Sequence, residues 1–230
     1  MNRLQKIYSV LHKTYGPQGW WPLTPLGSTR TRHHSGRPRK DAHRFEIMLG
    51  AILTQNTAWT NVEKALEQLH KNKLVRHDRI LKTKKEKIAG LIRSAGYYNQ
   101  KAERLAIISK FIKDNTLRSL MAMDAVGLRR LLLEVKGIGP ETADSIVLYA
   151  FEKPSFVIDA YTKRIFSRVG LCAADADYHE MQIMFEQDVR KDVDVYKEYH
   201  ALIVEHAKRH CRTKPKCEGC PISKLCKRNI

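Results

Sequence analysis

Residues 128–151, "LRRLLLEVKGIGPETADSIVLYAF", constrain the fold more than any other stretch of the chain. Two runs with helical apolar spacing flank a short break holding Gly137 and Gly139, so the chain must stop one helix, turn tightly and start another. Pro140 stands where the second helix begins, a position at which its missing N–H costs nothing. The rest of the sequence has the same period. "FEIMLGAILTQ" (45–55) is apolar on nearly all sides, as a central helix must be. Thr60 with Glu63, and Thr83 with Glu86, are spaced as capping boxes, and Asn99 is placed to cap "QKAERLAIISKFIKD" with Ala102, Leu105, Ala106 and Ile112 facing inward. Gly96 reads as a helix stop, and Asp177 with Glu180 introduces a long helical stretch through Met184, Phe185, Tyr196, Tyr199 and Ile203. No segment alternates as a strand would. The expected fold is all-α, without internal repeats.

Forty-two Lys and Arg against 24 Asp and Glu leave a formal charge of +18 on 230 residues. Such an excess predicts a polyanionic partner, nucleic acid before any other, because neutralising phosphates releases condensed counterions. A membrane surface fits less well. No basic amphipathic helix stands out, and no apolar run approaches the roughly 18 residues of a membrane span. The expectation is a soluble, cytoplasmic protein with no membrane partner. "PLGSTRTRHHSGRPRK" (25–40) gathers Pro, Gly, Ser and positive charge, and reads as a mobile surface loop that could touch phosphates.

Five cysteines divide unevenly: Cys172 stands alone, as a small buried apolar residue would, and four crowd "CRTKPKCEGCPISKLC". Cys211, Cys217, Cys220 and Cys226 are near enough in sequence to close around one metal centre. Their spacing leaves zinc and an iron-sulfur cluster both open.

Taken in order, "LTQNTAWTNVEKAL", "SAGYYNQKAERL", "VKGIGPETADSIV", "VIDAYTKRIFSRVG" and the cysteine-rich tail resemble the endonuclease III family of helix-hairpin-helix DNA glycosylases over nearly the whole chain. "GWWP", "TQNTAW" and "GYYNQKA" are most similar to its 3-methyladenine DNA glycosylase branch. The resemblance implies two helical domains flanking a DNA-binding cleft. Residues 44–155 would form a six-helix barrel with the hairpin, and residues 1–43 and 156–230 would form a second domain around a cluster. It also implies a partner, double-stranded DNA containing a damaged base, and a monomeric enzyme that flips that base out and cuts its bond to the sugar.

Site residues follow from the same resemblance. Asp159, by its position alone an N-cap, corresponds to the catalytic carboxylate, which can stabilise an oxocarbenium-like sugar and activate water. Lys136, Gly137, Ile138, Gly139 and Thr142 would hold one DNA phosphate, and Gln55 would fill the gap left by the flipped base. Trp20 and Trp59 correspond to aromatic residues that sandwich the extruded base. Trp21, more a core residue by composition, and Pro22 lie beside them. Members that also nick the strand carry a lysine where this chain has Glu141. A carboxylate cannot form the Schiff base, so a monofunctional glycosylase is expected, with Lys136 and Lys163 the nearest substitutes. An alkylated purine such as 3-methyladenine is the favoured substrate. An oxidised or deaminated base, and a non-catalytic binder of damaged DNA, are the alternatives. The tail would hold a [4Fe-4S] cluster on Cys211, Cys217, Cys220 and Cys226, although the first gap is one residue short of the family's and puts His210 at the expected place of the first ligand.

Overall fold

The computed structural model describes residues 1–33 and 37–229. Among them lie twelve α-helices: α1 (Arg3–Tyr15), α2 (Asp41–Leu53), α3 (Trp59–Lys71), α4 (His77–Leu81), α5 (Lys85–Leu91), α6 (Tyr98–Asn115), α7 (Leu117–Ala122), α8 (Ala125–Leu133), α9 (Pro140–Ser145), α10 (Ala160–Val169), α11 (Tyr178–Asp188) and α12 (Val193–Arg209). A π-helical turn, Ile146–Ala150, continues α9. The all-α expectation holds; a single bridge between Leu23 and Arg32 is the only strand-like pairing among the described residues. No helix of the described residues is long and apolar enough to cross a membrane.

The helices divide into two compact units, Trp21–Lys153 and Met1–Trp20 with Pro154–Ile230. In the first, α2 is the central helix: every residue from Phe45 to Leu53 is buried. It packs against α3, α6, α9 and the π turn. Residues 21–33 and 37–43, grouped with the termini in the sequence reading, belong to this unit instead. Thr24 donates through its backbone N (3.0 Å) and Oγ1 (2.7 Å) to Glu46, whose other oxygen meets His70 Nε2 at 3.2 Å. The basic segment is less loose than its composition suggests. Thr31 Oγ1 reaches Glu63 Oε1 at 2.9 Å and Arg37 reaches Glu152 at 3.4 Å, while residues 34–36 of it lie outside the described residues.

Lys101 is 1% exposed and sits at the centre of this unit. Its Nζ donates to Leu53 O (2.8 Å), Ala95 O (2.8 Å) and Thr57 Oγ1 (2.7 Å). Burial, with Arg104 nearby, pushes its pKa down to about 8, so at neutral pH it remains an ammonium with three hydrogens for three acceptors. One cation thereby pins the end of α2, the loop after it and the turn before α6.

In the second unit α12 packs on α1 and α10. Phe156, Phe166, Phe185, Tyr196 and Tyr199 form its aromatic core, with Phe156 stacked on Phe185 at 4.2 Å. The long stretch after Asp177 is two helices, because Asp192 caps a new one through Asp194 N and Val195 N.

Three expected caps fail for a common reason. α3 starts at Trp59, α5 at Lys85 and α6 at Tyr98, so Thr60 and Asn99 lie inside helices and Thr83 lies two residues before one. Thr83 instead donates to Arg79 O (2.8 Å). On α6, Ile108 is buried where Ala106 was expected, and Ala106 is half-buried. Gly96 does end a helical turn at φ 66°, and Asp177 does cap α11.

Lys101→Met removes the donor of three acceptors at once, at a cost of about 3 kcal/mol. For a chain of this length the melting temperature should fall by roughly 6–12 °C, measurable by circular dichroism.

Candidate active site and nucleic-acid interface

Asp159 is the N-cap of α10, in extended conformation, and is 9% exposed. Its Oδ1 accepts from Thr162 N (2.7 Å) and Thr162 Oγ1 (2.8 Å). Its Oδ2 lies 3.6 Å from His200 Nε2. Burial pushes the carboxyl upward, but His200 and the two Thr162 donors together outweigh it and hold the pKa below the ordinary Asp value. The group is therefore ionised at neutral pH, and the stability it gains from its donors is lost only as pH falls through that lowered value. Capping and an anionic, fixed carboxylate are one arrangement. Thr162 and His200 were not visible as partners in the sequence; Thr162 carried the only signal, its N3 position after an Asp cap.

The same helix leads to the cysteines. Ile165, Arg168 and Val169 from α10 line a cavity with Cys211, Cys217, Cys220, Cys226, His206, His210 and Ile222. All four cysteines are unpaired thiols. Burial raises the Cys220 pKa, and the neighbouring Cys226, Cys211 and Cys217 raise it further, as four converging sulfurs would. Arg168 Nη1 donates to Cys211 Sγ (3.4 Å) and Arg228 N to Cys226 Sγ (3.3 Å). Soft sulfur ligands, N–H donors aimed at sulfur and apolar walls are the chemistry that suits an iron-sulfur cluster. Among the described residues no group of three or more His, Cys, Asp or Glu is arranged to hold a metal ion. His210 lines the cavity as well, with Nδ1 3.2 Å from Lys216 O. The tail is fastened to α10 by Lys227 N→Val169 O (3.3 Å) and Asn229 N→Arg168 O (3.1 Å), and Arg3 bonds both Val169 O and Leu225 O.

The other unit holds the hairpin. Gly137 has φ +89°, a conformation that favours glycine, and a Cβ there would fall 2.8 Å from Arg104 Nε. Gly139 is different: at φ −94° and ψ 179° any residue is comfortable, and a Cβ would meet nothing within 4 Å. Neither conformation nor packing explains that glycine, which leaves room for something outside the chain. Ile138 is buried and anchors the turn, its N donating to Val135 O (3.0 Å). Thr142 is buried, while Glu141 is exposed in the first turn of α9.

Gln55 is tied to this hairpin. Its Nε2 donates to Gly137 O (3.0 Å) and Thr142 Oγ1 (3.0 Å), and its Oε1 accepts from Arg104 Nη1. Tyr97, whose backbone O accepts from Lys101 N (2.9 Å), is 71% exposed and has φ 43°, a genuine outlier for an aromatic residue. Tyr97 thus presents an aromatic ring to solvent from a left-handed backbone position, a feature that sequence reasoning passed over. Lys136 lies at 3.0 Å from Glu103 and is 79% exposed.

The tryptophans separate. Trp21 is 6% exposed and packs edge-on against Trp59 (5.4 Å) and at a tilt of 58° against Tyr149 (5.3 Å). Pro22 is buried next to it, and Trp59 is half-buried. Trp20, half-buried, belongs to the unit that carries Asp159.

Residues 49–191 match the HhH-GPD superfamily of base excision DNA repair proteins. The chain belongs to that family. A protein of Methanocaldococcus jannaschii, named as a candidate DNA repair glycosylase, is 44% identical over 97% of this chain and 95% of its own. The Helicobacter pylori 3-methyladenine DNA glycosylase, solved bound to 1,N6-ethenoadenine, is 29% identical, with a TM-score of 0.71 over 91% of this chain and 98% of its own. A trapped endonuclease III–DNA covalent intermediate shares the fold, at 20% identity and a TM-score of 0.76 over 99% of this chain and 97% of its own.

The two glycines of this HhH-GPD hairpin should respond differently to substitution. Gly139→Ala should leave the melting temperature unchanged and weaken duplex binding, whereas Gly137→Ala should lower the melting temperature. Fluorescence anisotropy and thermal melting of both variants check this.

Proposed function

We propose that this chain is a monofunctional DNA glycosylase that hydrolyses the N-glycosidic bond of a flipped, damaged base, with an alkylated purine such as 3-methyladenine as substrate. The observation that carries the reading is Asp159, a buried carboxylate kept ionised and fixed by its own helix N-terminus. When the base leaves with the bonding electrons, the sugar becomes cationic. Asp159 stabilises that cation and takes a proton from the water that adds to the sugar carbon, so base and abasic site are the two products.

The absence of strand nicking rests on Glu141, and on how the two candidate lysines are engaged. Lys136 pairs with Glu103, and Lys163 Nζ donates to Ala176 O at 3.1 Å. Lys101, although lowered to about 8, is spent on three acceptors and does not present an amine. The hairpin grips a phosphate at the space Gly139 leaves open, without reading bases. Gln55 and Tyr97 serve as the groups that enter the duplex as the base leaves it.

Support for an alkylated purine comes from the half-buried Trp20 and Trp59 and from the likeness to the H. pylori enzyme. An electron-poor alkylated ring gains cation-π attraction from an aromatic face. The four-cysteine cavity holds a [4Fe-4S] cluster in this reading. Bound there, the cluster would fix the tail against the end of α10, whose other end positions Asp159.

A panel of duplexes, each bearing one altered base and treated with alkali to reveal abasic sites, tests the substrate class. Strongest release from 3-methyladenine or a related alkylated purine is expected; release confined to uracil, thymine mismatches or oxidised bases would replace that substrate. Borohydride added during turnover should trap no covalent adduct, and an adduct would overturn the monofunctional assignment. Anaerobically purified protein should be yellow-brown and carry iron, and colourless, iron-free protein would remove the cluster.

A further inference from the structure

Asp159 gives its two oxygens different partners, and this inequality points beyond Asp159 itself. Both Thr162 donors go to Oδ1. Oδ2 faces His200 Nε2 at 3.6 Å, an ion-pair distance just beyond a direct hydrogen bond. His200 is 8% exposed, so its ring cannot swing into solvent. The helix carrying it is locked: the preceding Tyr199 donates to Leu4 O at 2.9 Å and packs against Phe156 and Phe185. Two donors on one oxygen fix where that oxygen is. They do not fix how the second oxygen is presented or keep it charged in a site that burial makes hostile to charge.

We propose that His200 is a positioning residue for base release, holding Oδ2 of Asp159 ionised and oriented while Thr162 holds Oδ1. This rests on the glycosylase reading above and adds a residue to it. His200 touches neither base nor sugar in this scheme; it acts through Asp159. Its N–H directs the carboxylate plane and favours the anion that the sugar cation requires. A donor at this distance that closes on the charged oxygen in the transition state contributes about 10- to 100-fold in rate, which its removal forfeits.

Three His200 variants and the Asp159→Asn background test the proposal, with single-turnover base release measured on the duplex that wild type cleaves best. His200→Phe keeps a ring and loses the N–H. His200→Gln carries an amide N–H at about the reach of Nε2, and His200→Asn one that stops short of it. Release should slow about 10- to 100-fold in His200→Phe and His200→Asn and recover in His200→Gln. Affinity for a duplex carrying a tetrahydrofuran abasic-site analogue should be unchanged in all three. In the Asp159→Asn background, His200→Phe should add no further loss, because a residue acting through Asp159 has nothing left to act on. Wild-type rates in His200→Asn, equal losses in His200→Gln and His200→Asn, or a full additional loss in the Asp159→Asn background would each overturn the role of His200. The Gln and Asn pair decides the matter if His200→Phe does not fold. No release by wild type from any altered-base duplex would instead strike the glycosylase reading itself, and this inference with it.

Discussion

A buried carboxylate stays charged only where donors hold it, and the Asp159–Thr162 cap is where this protein meets that condition. The start of α10 supplies a backbone N–H and a hydroxyl to one oxygen, and α12 brings an imidazole towards the other. Much of the surrounding unit serves this arrangement. Its aromatic core seats α10 and α12, Arg3 ties α1 to the end of α10, and the cysteine tail is bonded along Arg168 and Val169. One helix thus joins the proposed chemical group to the cavity proposed to hold the cluster.

The other unit solves a different problem, the presentation of backbone and loops to a polymer. Lys101 is its counterpart to the Asp159 cap: a buried charge made tolerable by complete hydrogen bonding. By pinning Leu53, Thr57 and Ala95 it fixes the turns that present Gln55 and Tyr97. Gln55 then reaches the hairpin through Gly137 and Thr142, so the turn proposed to grip a phosphate and the group proposed to enter the duplex share one hydrogen-bonded network.

What was legible in the sequence was local. The hairpin declares itself because two glycines and a proline interrupt helical periodicity within a few residues. Asp159 and the four cysteines are likewise short motifs with fixed spacing, and α2 could be recognised as central because it lacks a polar face. Caps at Thr60, Thr83 and Asn99 were misread because those helices begin after Ala58, Lys84 and Tyr97, with no side-chain cap at all. His200, Lys101, Arg104 and Tyr97 were missed for a deeper reason. The partners of His200 and Lys101 lie helices away, Arg104 matters only because Gly137 folds beneath it, and the importance of Tyr97 is a backbone angle that no residue type announces. Glu141 was legible as a substitution within a motif, and the structure adds that it is exposed at the first turn of α9.

The central claim is that Asp159 acts as an ionised carboxylate in hydrolysis and is not merely a helix cap. The most direct measurement compares single-turnover base release by wild type and Asp159→Asn, alongside their affinities for an abasic-site duplex. An asparagine can still cap α10, so the fold and the affinity should persist while release falls by at least about a hundredfold. Release by Asp159→Asn at a rate near wild type would contradict the claim.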